Sequence, residues 1–138
     1  MEQQFSKHGN PTAKSGFNYC RTCYGHLAGF IGVALTEGME RQQYLEKSES
    51  GYLVTKNGWA WLSKFDISES DFKKSRRPLT RQCIDGTERR PHLAGQLGDG
   101  LLEKMLHCGW FEKIEGSREL EVTPEGRQNL HEHLGINA

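Results

Sequence analysis

His26-Leu27-Ala28-Gly29-x-x-Gly32 recurs 66 residues later as His92-Leu93-Ala94-Gly95-x-x-Gly98. Self-similarity at a fixed spacing means that one supersecondary unit is used twice. At the same spacing Leu35 meets Leu101, Met39 meets Met105, Tyr44-Leu45 meets Trp110-Phe111, and Glu46-Lys47 meets Glu112-Lys113. The register then slips by two residues, after which Val54-Thr55-x-x-Gly58-x-x-x-Leu62 meets Val122-Thr123-x-x-Gly126-x-x-x-Leu130. The slip falls where a hairpin loop tolerates it.

Each copy reads as the same series of elements. Leu27, Ile31, Leu35 and Met39 lie four apart, as do Leu93, Leu97, Leu101 and Met105, which puts each set on one buried helical stripe. An apolar pair, a polar Gly- and Ser-containing stretch and a second β-prone run (52–55, 120–123) follow, and together they predict a hairpin. Thr55 and Thr123 are then N-caps, the second followed by Pro124 at the favoured first helical position, and each opens a closing helix ending near Lys64 or Gly135. Helix, hairpin, helix is a winged-helix outline with the hairpin as wing. The expected fold is therefore α+β, a helix-rich tandem winged-helix-like repeat with two small β-hairpins. The first repeat covers 17–65, a basic linker 66–80, and the second repeat 81–135. One further helix is predicted from Pro78 to about Asp85. Residues 1–16, with Gly9-Asn10-Pro11 and little that is apolar, are expected to form a disordered arm. Neither half has a comfortable core alone, so the halves are expected to pack on each other or on another chain.

Composition narrows the function. A chain of 138 residues with 35% hydrophobic content suits one domain or two very small ones, which excludes a large multidomain enzyme. The longest nearly apolar stretch, 27–35, is broken by glycines and falls far short of the roughly 20 residues of a membrane helix. No apolar block with a small-residue cleavage site opens the chain, so a cytoplasmic location is expected. Eighteen basic and eighteen acidic residues cancel, leaving no global field toward DNA or anionic lipid. The four cysteines, without a secretory signal, are read as reduced thiols.

The chain lacks a Gly-x-Ser-x-Gly elbow, a phosphate-cradling Gly-x-x-x-x-Gly-Lys loop and a His-Glu-x-x-His motif, so neither enzymatic activity nor a cofactor is expected. His26 and His92 occupy equivalent places in a duplicated unit, which favours a shared structural role over an acid–base couple. With Leu27, Gly29, Gly32, Leu93, Gly95 and Gly98 they are assigned to packing or dimerisation, the glycines implying a close helix–helix approach. Residues 32–44 and 98–109 would cramp a turn and an independent recognition helix, which favours one continuous packing or dimerisation helix over the alternative of a degenerate winged helix that still touches DNA. Local charge is concentrated in Lys73, Lys74, Arg76, Arg77, Arg81, Arg89 and Arg90, and 73–90 carries a net +5. These residues, with Arg118 in the second wing, either hold DNA phosphates or meet the acidic surface of the other half. Cys20-x-x-Cys23-x-x-His26 has the residue types of a metal site. On a helix, however, those three side chains diverge, and buried structural thiols are the competing account.

Arg21-Thr22-Cys23-Tyr24-Gly25-His26-Leu27-Ala28-Gly29, Arg76-Arg77-Pro78-Leu79, Cys83-Ile84-Asp85-Gly86-Thr87-Glu88-Arg89-Arg90-Pro91-His92-Leu93-Ala94-Gly95, Gly109-Trp110 and Val122-Thr123-Pro124-Glu125-Gly126 together resemble a subgroup of the ArsR-type winged-helix transcriptional regulators. The similarity covers nearly all of 19–135 and lies in the portion that follows the N-terminal DNA-reading helix-turn-helix of those regulators. That leading domain is expected to be absent here. Gly25 stands where an acidic residue is usual and Gly86 where tryptophan is usual, and packing is expected to differ at both. The resemblance implies DNA-dependent regulation of transcription, metal sensing as a common family trait, and a homodimer or a heterodimer with a full-length relative. The alternative is a stand-alone protein-interaction or small-molecule- or metal-sensing module without DNA binding.

Overall fold

The computed structural model describes residues 14–138, and the arm read at 1–16 lies, up to residue 13, outside the described residues. In chain order the elements are β1 (Arg21–Cys23), β2 (His26–Ala28), α1 (Gly29–Arg41), β3 (Leu45–Lys47), β4 (Tyr52–Val54), α2 (Lys56–Leu62), two single-turn 3-10 helices (Ser63–Phe65, Glu69–Asp71), β5 (Arg81–Ile84), β6 (Pro91–Ala94), α3 (Gly95–His107), β7 (Phe111–Lys113), β8 (Leu120–Val122) and α4 (Pro124–Leu134). Hairpin, helix, hairpin, helix is written out twice in an α+β chain. The two expected wings are β3–β4 and β7–β8, and two further hairpins, β1–β2 and β5–β6, precede the long helices.

His-Leu-Ala is thus strand in both copies, and the helix starts at the glycine that follows. The physical reason is backbone geometry. Gly29 and Gly95 have φ of +79° and +86°, and a Cβ there would meet the carbonyl oxygens of Asn18 and Tyr19 at 3.0 Å, or of Leu79 at 2.8 Å. Those same carbonyls cap the helices. Phe30 and Ile31 N–H donate to Asn18 and Tyr19 O (3.0 and 2.8 Å), and Gln96 and Leu97 N–H donate to Pro78 and Leu79 O (3.0 and 2.8 Å). The helix expected from Pro78 to about Asp85 does not form, because Pro78 and Leu79 are spent in this way and the chain then enters β5. The close helix–helix approach read from the other two glycines is also corrected. A Cβ at Gly32 would sit 2.7 Å from Leu27 O, and one at Gly98 2.8 Å from Leu93 O, so the near backbone is the strand of the same repeat.

Thr55 and Thr123 cap α2 and α4 as expected, accepting from Gly58 and Gly126 N–H at 2.9 Å each. The repeats interlock: α1 packs on β6, α3 on β2, and β2 lies beside β6. Thr36 of α1 accepts from Leu93 N–H (2.9 Å) while donating to Gly32 O (2.9 Å). The wings cross over too. Gln82 N–H donates to Ser50 O (2.9 Å) and the Thr80 hydroxyl bonds both Tyr52 N–H and O. In the other half, Thr22 N–H donates to Arg118 O (2.9 Å) and Leu120 N–H to Cys20 O (3.0 Å). Both four-spaced apolar stripes are buried in one shared core, no member being more than 4% exposed. At about 1.5–3 kcal/mol per buried side chain, this shared cluster dominates the stability of both halves. No helix among the described residues is long and apolar enough to cross a membrane.

Candidate functional site

The inner hairpins place chemistry at the junction of the repeats. In β1–β2, Cys23 stands directly opposite His26; in β5–β6, Cys83 stands directly opposite His92. Directly opposed residues of an antiparallel pair project from the same face. Because β2 and β6 are neighbours, the two faces meet, and one ligand atom from each of these four residues lies within 4.8 Å of every other. His26 and His92 are 2% and 1% exposed, and their Nε2 atoms are 3.0 Å apart.

A carboxylate faces the far side of each ring. His92 Nδ1 is 3.2 Å from Asp85 Oδ1, and His26 Nδ1 is 3.7 Å from Asp99 Oδ1. Asp85 is buried at the end of β5 and gathers donors from both repeats: Gly29 N–H at the start of α1 (2.7 Å), Thr87 and Glu88 N–H, and the Arg21 guanidinium (3.3 Å). Burial works to raise its pKa. The His92 ring, the backbone N–H groups of Glu88 and Gly29 and the Thr87 hydroxyl more than offset that and hold the acid far below the carboxylate range. Burial and the neighbouring His92 ring depress His26 to about 4, so it is neutral at pH 7. Burial raises the Cys83 thiol, and the adjacent Cys23 raises it further.

Asp99 compensates for a missing side chain. Gly25 follows Cys23 by two residues just as Asp85 follows Cys83, and a Cβ at Gly25 would fall 3.1 Å from the Asp99 carboxylate. The acid absent from the first hairpin is supplied by α3. Gly86, the other departure, is exposed and its absent side chain would meet only Arg21, at 3.9 Å.

The Cys20, Cys23, His26 grouping is corrected. The segment is a hairpin and not a helix, so Cys23 and His26 do converge, but their companions are Cys83 and His92. Cys20 is fully buried away from this group, its thiol pushed up by burial. Sequence alone singles out neither Asp85 nor Asp99, and admits Cys83, like Cys108, only as a fourth ligand that would have to arrive from far along the chain. The available signal was Arg-x-Cys at 21–23 and 81–83, hidden because Cys-to-His spacing is three in one hairpin and nine in the other.

The basic residues divide. Arg90 pairs with Glu37 of α1 (2.7 Å) and Arg77 with Asp99, while Arg118 donates to Thr22 O (3.0 Å) and lies over the Phe17 ring. Lys73, Lys74, Arg76, Arg81 and Arg89 are exposed. Beside Tyr24 opens a cleft of about 650 Å³, floored by Leu102, Leu106 and Leu120 and edged by Asp99, Glu103 and Arg118. Its counterpart in the first repeat is bridged by the longer β5–β6 loop, where Arg90 reaches Glu37, the equivalent of Glu103.

Fold and site define an α+β domain in which the hairpin–helix order is written twice, with two buried histidines and two half-buried cysteines meeting at the junction. Among known proteins, the chain is 35% identical over 123 residues, 89% of its length, to a Bacillus subtilis (strain 168) protein described as the uncharacterized HTH-type transcriptional regulator YdfF. It spans about half of that relative, 54% of its length. No family model and no solved structure matches the chain.

Proposed function

We propose that this chain serves as the regulatory half of a transcriptional regulator of ArsR-like type, the part that takes up an effector and pairs subunits, while DNA is read by a separate helix-turn-helix. The observation that carries this reading is the 35% identity to a relative named as an HTH-type transcriptional regulator, of which the chain spans about half. Three features support the division of labour. Among the described residues the helices of each repeat are separated by a hairpin, not by the short turn of a DNA-reading pair. Both wings are hydrogen-bonded to the opposite repeat. Arg77, Arg90 and Arg118 of the basic set are engaged within the chain. A small effector fits the cleft beside Tyr24, whose volume falls within the roughly 300–1,000 Å³ usual for ligand pockets.

The test compares transcripts in cells lacking the gene with those in cells where it has been restored. A reproducible change confined to a small set of transcripts supports regulation; an unchanged profile favours the stand-alone small-molecule module, which the cleft would serve equally well. Binding of the purified chain to duplex DNA tests the division itself. Expected is non-specific retention no tighter than about 10⁻⁶ M, falling steeply with salt. Sequence-selective retention abolished by Arg76→Ala, Arg81→Ala and Arg89→Ala together would assign DNA reading to this chain.

A further inference from the structure

The polar centre at the repeat junction is out of keeping with its surroundings. The adjoining core is apolar, yet two imidazoles meet there with their Nε2 atoms 3.0 Å apart, and His92 Nδ1 has no well-aligned hydrogen-bond partner although Asp85 is close. Buried polar groups are costly unless something satisfies them. Two thiols from the same hairpins complete the group, with all four ligand atoms within 4.8 Å of one another.

We propose that Cys23, His26, Cys83 and His92 bind one zinc ion tetrahedrally, a clamp to which each repeat contributes one cysteine and one histidine. Two thiolates and two imidazoles form the closed donor set of structural zinc. With Zn–S of about 2.3 Å and Zn–N of about 2.0–2.1 Å, tetrahedral donors stand roughly 3.3–3.8 Å apart, so the imidazoles shift slightly outward from 3.0 Å and the wider separations, up to 4.8 Å, close by about 1 Å. The surroundings complete the design. A metal-bound imidazole turns its other nitrogen to a carboxylate or carbonyl, and here Asp85 and Asp99 stand at 3.2 and 3.7 Å from the two Nδ1 atoms. That Asp99 fills the space over Gly25 keeps both rings so served although the first hairpin carries no acid of its own at that position.

Charge and protons balance. Binding releases the Cys23 and Cys83 thiol protons to solvent, leaves each imidazole protonated at Nδ1, and joins two thiolates to a dication, so the centre gains no net charge. The four ligands close the coordination shell, which assigns the ion to holding hairpin β1–β2 against β5–β6. The site stands on these residues alone and is independent of any role in transcription.

Native mass spectrometry of the full chain, purified without chelator, tests this directly: the expected mass exceeds that of the apo-protein by one zinc less two protons. Titrating the reduced apo-protein with Co²⁺ should saturate at one ion per chain, with the visible bands of tetrahedral cobalt and a sulfur-to-cobalt charge-transfer band, all abolished by one equivalent of Zn²⁺. Cys20→Ser and Cys108→Ser should leave that spectrum unchanged. Cys23→Asp keeps an anionic ligand and should retain cobalt with a weakened charge-transfer band. Asp99→Asn should weaken Zn²⁺ affinity by about 10- to 100-fold. The proposal is overturned if reduced protein with native circular dichroism takes up no Co²⁺, if the bound cobalt is octahedral, if Cys23→Asp leaves the charge-transfer band intact, or if thiol trapping in cells finds Cys23 and Cys83 joined as a disulfide.

Discussion

Asp85 shows how one side chain can serve two repeats. It belongs to the second hairpin, caps the first N–H of α1 in the other half, and neutralises Arg21, itself only 6% exposed. Asp85→Asn preserves shape but leaves the arginine buried without its counter-ion, and breaking such a pair should lower unfolding free energy by about 3 kcal/mol in urea titrations. Glycines give a second residue-scale contrast. A Cβ at Gly126 would lie 2.0 Å from the Trp110 carbonyl oxygen, whereas one at Gly116, at φ +78°, meets nothing within 4 Å. Gly116→Ala carries only the left-handed backbone cost, about 1 kcal/mol. Gly126→Ala must displace the Trp110 carbonyl, which also accepts from Thr123, and should cost more, about 3 kcal/mol, by the same urea measurement. Gly58 and Gly126 were legible in the sequence because they recur at one register. Asp85 was not: its importance arises from a contact across 56 residues, and its symmetry mate, position 25, is a glycine.

Among the elements, the long helices and outer wings were readable from four-residue periodicity and Thr caps. The inner hairpins were not, since strands of three and four residues are too short to show alternation and His-Leu-Ala abuts a helical stripe that masks it. That omission concealed the Cys/His centre, because opposition across a hairpin, not spacing along a helix, brings its members together. The closing helix α4 makes a pH-dependent contribution. His133 accepts a hydrogen bond at Nδ1 from the Trp61 indole N–H (3.0 Å) and packs against Phe65 and Trp110. Burial lowers its pKa, and Lys64 lowers it further. A histidine depressed in the folded state binds protons more readily when unfolded, so its contribution is intact above the unfolded value of about 6.5 and lost as pH falls through that point toward the folded value. Thermal melts from pH 7.5 to 5 should therefore show falling Tm, and His133→Gln should flatten the slope.

At the scale of the whole molecule, neither repeat is a separable domain. Each long helix rests on the other repeat's second inner strand, each wing hydrogen-bonds the other repeat's first strand, and one core serves both. Equilibrium unfolding followed by tryptophan fluorescence, which samples Trp59 and Trp61 in one repeat and Trp110 in the other, should coincide with circular dichroism in a single transition. Two separated transitions would show that the halves melt independently. The shared core was anticipated by the small size of each half, but the crossing of the wings was not, because hydrogen bonds between distant backbone segments leave no mark on local sequence. The crossing has a practical corollary for handling the protein. A protease that nicks the exposed run at 73–77 should yield two bands on a denaturing gel but one undivided peak in gel filtration, since the severed pieces stay laced through each other.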